Sequence, residues 1–257
     1  MGRVTPFPSA TSAPRTARER VRIELTREIK AVARAQLATG GGAALSLRAV
    51  ARELGMASSA LFRYFPNRDA LLTALIIDSY AALADAAEAA EAQVHEQPVL
   101  VRWMAICRAI REWALAQPHE YALIFGSPIP GYAAPRDTVG PATRVPVLLG
   151  TLLADLATQA DGATAPADLA AAGDGAPAAG PAAPADLVAA LQPVAATLPA
   201  GVPPDLLVRG LMGWTYLFGA ISFELFGHRH GVISDHRTFF DHEMTRIAVL
   251  LGYATAP

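Results

Sequence analysis

The residues best suited to chemistry in this 257-residue chain fall in one short stretch, LSLRAVARELGMASSALFRYF at positions 45–65. Its polar side chains are hydroxyls and guanidinium groups, the donors that meet phosphate oxygens and base edges. Ser46 opens the stretch, where its hydroxyl and the amides after it can face an anion. Arg48 lies one turn further on, within reach of a phosphodiester backbone. Ser58, Ser59 and Ala60 are small enough to let a backbone approach closely; Ser59 can bond several bases and Ala60 can touch a thymine methyl. So few base-specific donors imply that selection leans on duplex shape or on Arg63.

Two short helices must position these groups. Leu47, Val50, Ala51 and Leu54 recur at the i, i+3, i+4, i+7 spacing of one apolar helix face. Ser46 is placed to cap that helix, and Gly55 to end it in a left-handed conformation. Ser58 then reads as the N-cap of a second helix that buries Leu61 and Phe65 and stops before Pro66. This is the pattern of a helix-turn-helix, whose second helix fits the major groove of DNA. Charge agrees with it. Residues 1–72 hold 12 Arg and Lys against 5 Asp and Glu, whereas 73–257 hold 9 against 18, so the net charge of −2 hides a basic first quarter.

The rest of the pattern is helical, and the expected fold is all-α. Residues 1–14 read as a disordered tail. A helix is expected from Arg15 to Leu37 with Val21, Leu25, Ile29 and Val32 as its apolar stripe. Asn67 reads as the cap of a long helix running toward Glu91. Pro98 opens another, with Trp103, Ile106, Cys107, Ile110 and Trp113 on one face and Arg102, Arg108, Arg111 and Glu112 opposite. His119–Phe125 is a short helical segment, and the start of the next helix is obscured by Pro141 and Pro146. Residues 158–204 are mostly Ala, Gly, Pro and Asp and read as a low-complexity, mobile insertion with a short helix near Ala185–Leu191. Two strong helices close the chain, Asp205–Phe226 and Asp235–Leu251. The domains expected are a helix-turn-helix unit at 15–66 and a helical unit at 67–257. The longest apolar stretch, around Gly210–Phe223, is shorter than the ~20 residues that span a bilayer, so no membrane partner is expected. A single cysteine, Cys107, and no apolar leader fit a cytoplasmic protein.

Residues 47–72, LRAVARELGMASSALFRYFPNRDALL, resemble the DNA-binding signature of TetR-type transcriptional regulators in the turn glycine, the recognition helix, the Phe-Pro that follows and the basic residue opening helix four. Tyr121–Pro135 and Trp214–Gly227 resemble a C-terminal subtype named for a Trp-His-Gly pattern, with Phe218 where that pattern has His. The resemblance implies three N-terminal helices for DNA, a C-terminal domain with a small-molecule pocket, and a homodimer formed through the last two helices. It implies that Tyr64 and Arg68 hold the DNA backbone. Phe62 stands where the family usually has Tyr and lacks the hydroxyl that would bond phosphate. The expected partners are a double-stranded, inverted-repeat operator and a small hydrophobic ligand among Trp103, Cys107, Phe125, Trp214 and Phe218.

Other chemistry is poorly represented. No Gly-rich phosphate loop, metal-ligand array or nucleophile elbow is present, so no catalytic residue and no cofactor are assigned. His228, His230, His236 and His242 match no common metal-site spacing and read as solvated loop residues. Repression released by a ligand is the leading function. A ligand-independent dimeric DNA-binding adaptor, or an all-α enzyme with a dyad assembled from distant residues, are the alternatives; a well-formed apolar cavity would favour the sensor and a solid core the adaptor.

Overall fold

The computed structural model describes residues 16–162 and 183–252, all of them helix, turn or loop, with no strand among them. The expected tail at 1–14 lies outside those residues, as does 163–182 of the expected insertion. The chain divides into two compact units, residues 1–72 and 73–257.

The first unit begins with α1, Ala17–Gly40, whose N-cap Thr16 accepts a hydrogen bond from the Glu19 amide and whose end is set by Gly41 at φ 66°. A 3-10 turn at Gly42–Ala44 leads to α2, Leu47–Glu53, and α3, Ser58–Leu61. Ile29, Ala33 and Leu37 of α1 pack with Leu45, Leu47, Val50, Ala51, Leu61 and Phe65 in a small core. The expected α1 stripe is therefore displaced. Val21 is 64% exposed and the buried face begins only at Ile29, because the first three turns of α1 run past the segments that cover the rest of it.

α4, Arg68–Ala92, starts in the first unit and continues into the second. Its cap is the expected one: Asn67 Oδ1 accepts from the Ala70 amide at 2.8 Å. Then come α5, Val99–Ala116; α6, Pro118–Phe125; α7, Val139–Gly162; two short exposed helices, α8 at Ala185–Ala190 and α9 at Gln192–Ala195; α10, Pro204–Leu225; and α11, His236–Leu251. Trp103, Ile106, Cys107 and Ile110 of α5 form the centre of one hydrophobic core with Leu152, Leu217, Ile221, Phe240 and Met244. Gly213 lets α11 close on α10, since a Cβ there would meet Leu251 at 3.3 Å. Pro141 falls in the first turn of α7, where its missing amide costs no bond, but Pro146 sits inside the helix.

The face of α5 opposite the core is not the solvated charge face its pattern suggests. Arg102 is buried and bonds Glu91 and Asp155, at 2.6 Å and 2.7 Å. Burial opposes ionisation of Glu91, yet the hydrogen bonds from His95 and Arg102 prevail and hold its carboxyl below the usual range. Arg111 makes a bidentate pair with Glu224 of α10, and Arg108 one with Asp241 of α11. A second expectation also needs correcting. Among the described residues, three helical stretches, 68–92, 136–158 and 204–225, are long and apolar enough by length and composition to cross a membrane. Alanine supplies much of that character in α4, and all three contribute buried residues to the helical core.

Candidate functional site

In the first unit the helix-turn-helix is locked by its backbone. Gly55 adopts φ 63°, a conformation other residues resist, and this lets the Met56 amide donate to the Ala51 carbonyl at 2.8 Å and the Gly55 amide to that of Arg52 at 3.2 Å. Ser46 caps α2, its hydroxyl oxygen accepting from the Ala49 amide at 3.4 Å while its own amide donates to Gln36 Oε1 at 3.3 Å. The hydroxyl proton of Ser46 is thus left to donate outward. Ser58 is not the cap of α3. Ala57 takes that position without a side-chain bond, and Ser58 is the first helical residue. Both Ser58 and Ser59 consequently present exposed hydroxyls that no described residue occupies. Helical bonding continues past Leu61, with the Phe65 amide donating to the Leu61 carbonyl at 3.1 Å, before Pro66 ends it.

Around this tip the expected DNA-facing residues fall into two groups. Arg48, Ser58, Ser59, Phe62 and Arg63 are exposed, and Ala60 and Tyr64 half-buried; Phe62 is 43% exposed. Arg68 differs. Its Nη2 donates to the Gly42 carbonyl at 2.7 Å, tying the start of α4 to the turn before α2. Sequence reasoning missed two further arginines. Arg18 and Arg22, on the protruding start of α1, line an open groove with Met56, Ala60, Arg63 and Tyr64, and no carboxylate lines it. Their i, i+4 spacing on a face beside Val21 was the available signal.

In the second unit Phe125, Trp214 and Phe218 line one cavity of about 420 Å³, together with Tyr80, Leu83, Pro141, Ala142, Val145 and Pro146. The wall is a run of aromatic contacts. Tyr80 meets Phe125 edge-on at 6.0 Å, Phe125 lies 4.3 Å from Phe218, and Phe218 is 5.8 Å from Trp214. No charged side chain lines the space. Trp103 and Cys107, expected in the same pocket, are elsewhere. Trp103 donates its indole N–H to the Met244 carbonyl at 3.0 Å, and Cys107 is wholly enclosed by core. Burial pushes the Cys107 thiol well above its ordinary range, so it is held as an unreactive thiol. Both residues lie on an inward face, but that face meets α11 rather than the cavity. Phe218 also marks how α6 is fixed to α10: the Tyr121 hydroxyl donates to the Phe218 carbonyl at 2.9 Å and lies 2.9 Å from Ser222 Oγ.

Beyond the cavity, α10 carries a second apolar feature. Met212, Tyr216 and Phe223 are exposed at 53%, 40% and 53%, and with Gly219 they form one stripe. Leu207, Phe218 and Ile221 on α10 and Phe240 and Met244 on α11 are buried within the chain itself.

Comparison with known proteins assigns both units. The family described as "Bacterial regulatory proteins, tetR family" matches residues 29–75, and "Tetracyclin repressor-like, C-terminal domain" matches 103–247. The HTH-type transcriptional regulator Rv1816 of Mycobacterium tuberculosis (strain ATCC 25618 / H37Rv) is 36% identical over 249 residues, covering 91% of this chain and 95% of that one. Mb1846 of Mycobacterium bovis is similar to the same extent. A crystal structure of the regulatory protein SCO4313 superposes with a TM-score of 0.70 at 34% identity, covering 90% of this chain and 98% of that one. A tetR-family regulatory protein from Rhodococcus RHA1, with a TM-score of 0.55 at 13% identity over 90% of this chain and 98% of its own, shares the fold.

Proposed function

We propose, from the premise that this chain belongs to the TetR family of helix-turn-helix transcriptional regulators, that it is a homodimeric repressor released from an inverted-repeat operator by a small, uncharged, hydrophobic ligand. That it is a DNA-binding regulator rather than an enzyme follows from the family. The observation that carries the finer reading is the aromatic cavity of about 420 Å³, a volume within the roughly 300–1,000 Å³ of small-molecule sites. Such a space favours a sensor over an adaptor with a solid core. The absence of any charged lining residue favours an uncharged ligand, since an ion would lose its hydration without a partner.

The Trp-His-Gly resemblance is part of this reading. Phe218 replaces the subtype's His and adds its ring to the cavity wall, which makes the site more apolar. The α10 stripe supports a dimer, because Met212, Tyr216 and Phe223 expose large apolar groups and Gly219 leaves room for close approach. A dimer presents two recognition helices, hence an operator with two-fold symmetry. The ligand acts by binding the DNA-incompetent state more tightly, which shifts the population away from the operator. With one lone, buried thiol, the chain suits the cytoplasm.

Thermal-shift screening with uncharged hydrophobic molecules, followed by gel shift on DNA selected from a random pool, tests the reading. Hits are expected to stabilise the protein and release DNA. Hits that stabilise without altering DNA affinity would overturn the sensor and leave the adaptor.

A further inference from the structure

The cavity wall carries an interruption of helix α7 beside its largely apolar side chains. Pro146 lies inside α7 and has no amide hydrogen, so the bond that this position would donate to the Ala142 carbonyl is missing. Ala142 and Pro146, the two residues on either side of the missing bond, both line the cavity, with Pro141 beside them. A carbonyl without its helical donor in an apolar space is an acceptor in need of a partner, and leaving it unmet is costly. The Tyr80 hydroxyl is directed to the Ile124 carbonyl, at 3.5 Å, and the wall is otherwise hydrocarbon apart from the Trp214 indole.

We propose that the ligand is an uncharged, ring-bearing molecule with one hydrogen-bond donor, and that the Ala142 carbonyl accepts that donor while the Phe125, Phe218 and Trp214 rings hold the body of the molecule. The proposal rests on the ligand-sensing reading above and names its chemistry. Donor recognition by a backbone carbonyl explains how a site without charge or side-chain carboxylates selects among hydrophobic molecules: a hydrocarbon of the same shape leaves the carbonyl unpaired, and an ether presents an oxygen where a donor is required.

Pro146→Ala provides the test, because it returns an amide hydrogen to α7 and gives the Ala142 carbonyl an internal partner. Binding of 2-naphthol, naphthalene and 2-methoxynaphthalene to the full-length protein would be measured by calorimetry for both forms, with circular dichroism to verify that the variant is folded. The wild-type chain is expected to favour 2-naphthol over 2-methoxynaphthalene by about five- to ten-fold, the effect of one neutral hydrogen bond. In the Pro146→Ala variant that preference should fall to near parity. A preference unchanged by the substitution would overturn the proposal. The emission of bound 2-naphthol gives a second readout that needs no variant: it should lie to the red of its emission in an alkane, and an alkane-like emission would also overturn the proposal. If none of the three probes bound even the wild-type chain, the sensing reading itself would fall along with it.

Discussion

Arg48 and Arg68 carry the same charge but sit in different environments, and this separates two effects that a single substitution would confound. Arg48 is exposed and makes no hydrogen bond or ion pair with a described residue, whereas Arg68 braces the Gly42 carbonyl. Arg48→Ala should leave the melting temperature unchanged and reduce the slope of log affinity against log salt by about 0.9 on any duplex. Arg68→Ala should reduce the slope comparably and also destabilise the fold by about 1–2 kcal/mol, read by urea unfolding. Tyr121 gives a pH signature at the same scale. Burial pushes its phenol up to about 12. The unfolded chain ionises near the ordinary value of about 10 and releases its proton first, so the Tyr121 contribution is complete below about pH 10 and is lost as pH rises toward 12. Urea midpoints measured across that window should fall more steeply for the wild-type chain than for Tyr121→Phe.

Among the elements, α1 does more than close the small core. Its first turns carry Arg18 and Arg22 to the groove beside Arg63 and Tyr64. Replacing both by Ala should lower the salt slope by up to about 1.8 without changing the ratio of affinities for different sequences, as expected of phosphate contacts; a melting curve should show no loss of stability. The helix-turn-helix was legible in the sequence because its signals are local: an apolar face at fixed spacing, a glycine with positive φ, and a proline stop. What was not legible depends on which element covers which face. Val21 has the spacing of a core residue but lies on turns that no described residue buries. Arg102 looks like a solvated residue until Glu91 and Asp155 enclose it. Ser58 has the chemistry of a cap, yet the chain turns one residue earlier, at Ala57. Two of the five candidate pocket residues suffered the same way: periodicity identified Trp103 and Cys107 as inward-facing but not that they face packed core instead of an empty space.

For the whole molecule, the decisive issue is assembly. The apolar faces of α10 and α11 apparent in the sequence are largely consumed inside the chain, and the apolar surface they leave exposed is the stripe of Met212, Tyr216 and Phe223 on α10 with Phe239 and Leu250 on α11. Introducing a charge by Phe223→Asp should convert a dimer to a monomer by light scattering, with the helical spectrum retained, and weaken operator binding by well over ten-fold because both half-sites must be engaged together. A chain that scatters as a dimer despite the substitution would place its contact elsewhere.

The Phe218 ring also sets the conditions under which the cavity operates. Its one ionisable lining group is the Tyr80 phenol, which burial raises above its ordinary value. Nothing on the wall changes charge near neutrality, so affinity for an uncharged ligand should stay flat between about pH 5 and 9, as titrations at several pH values would show. On the sensing reading proposed above, the occupancy of the cavity would report ligand concentration rather than acidity.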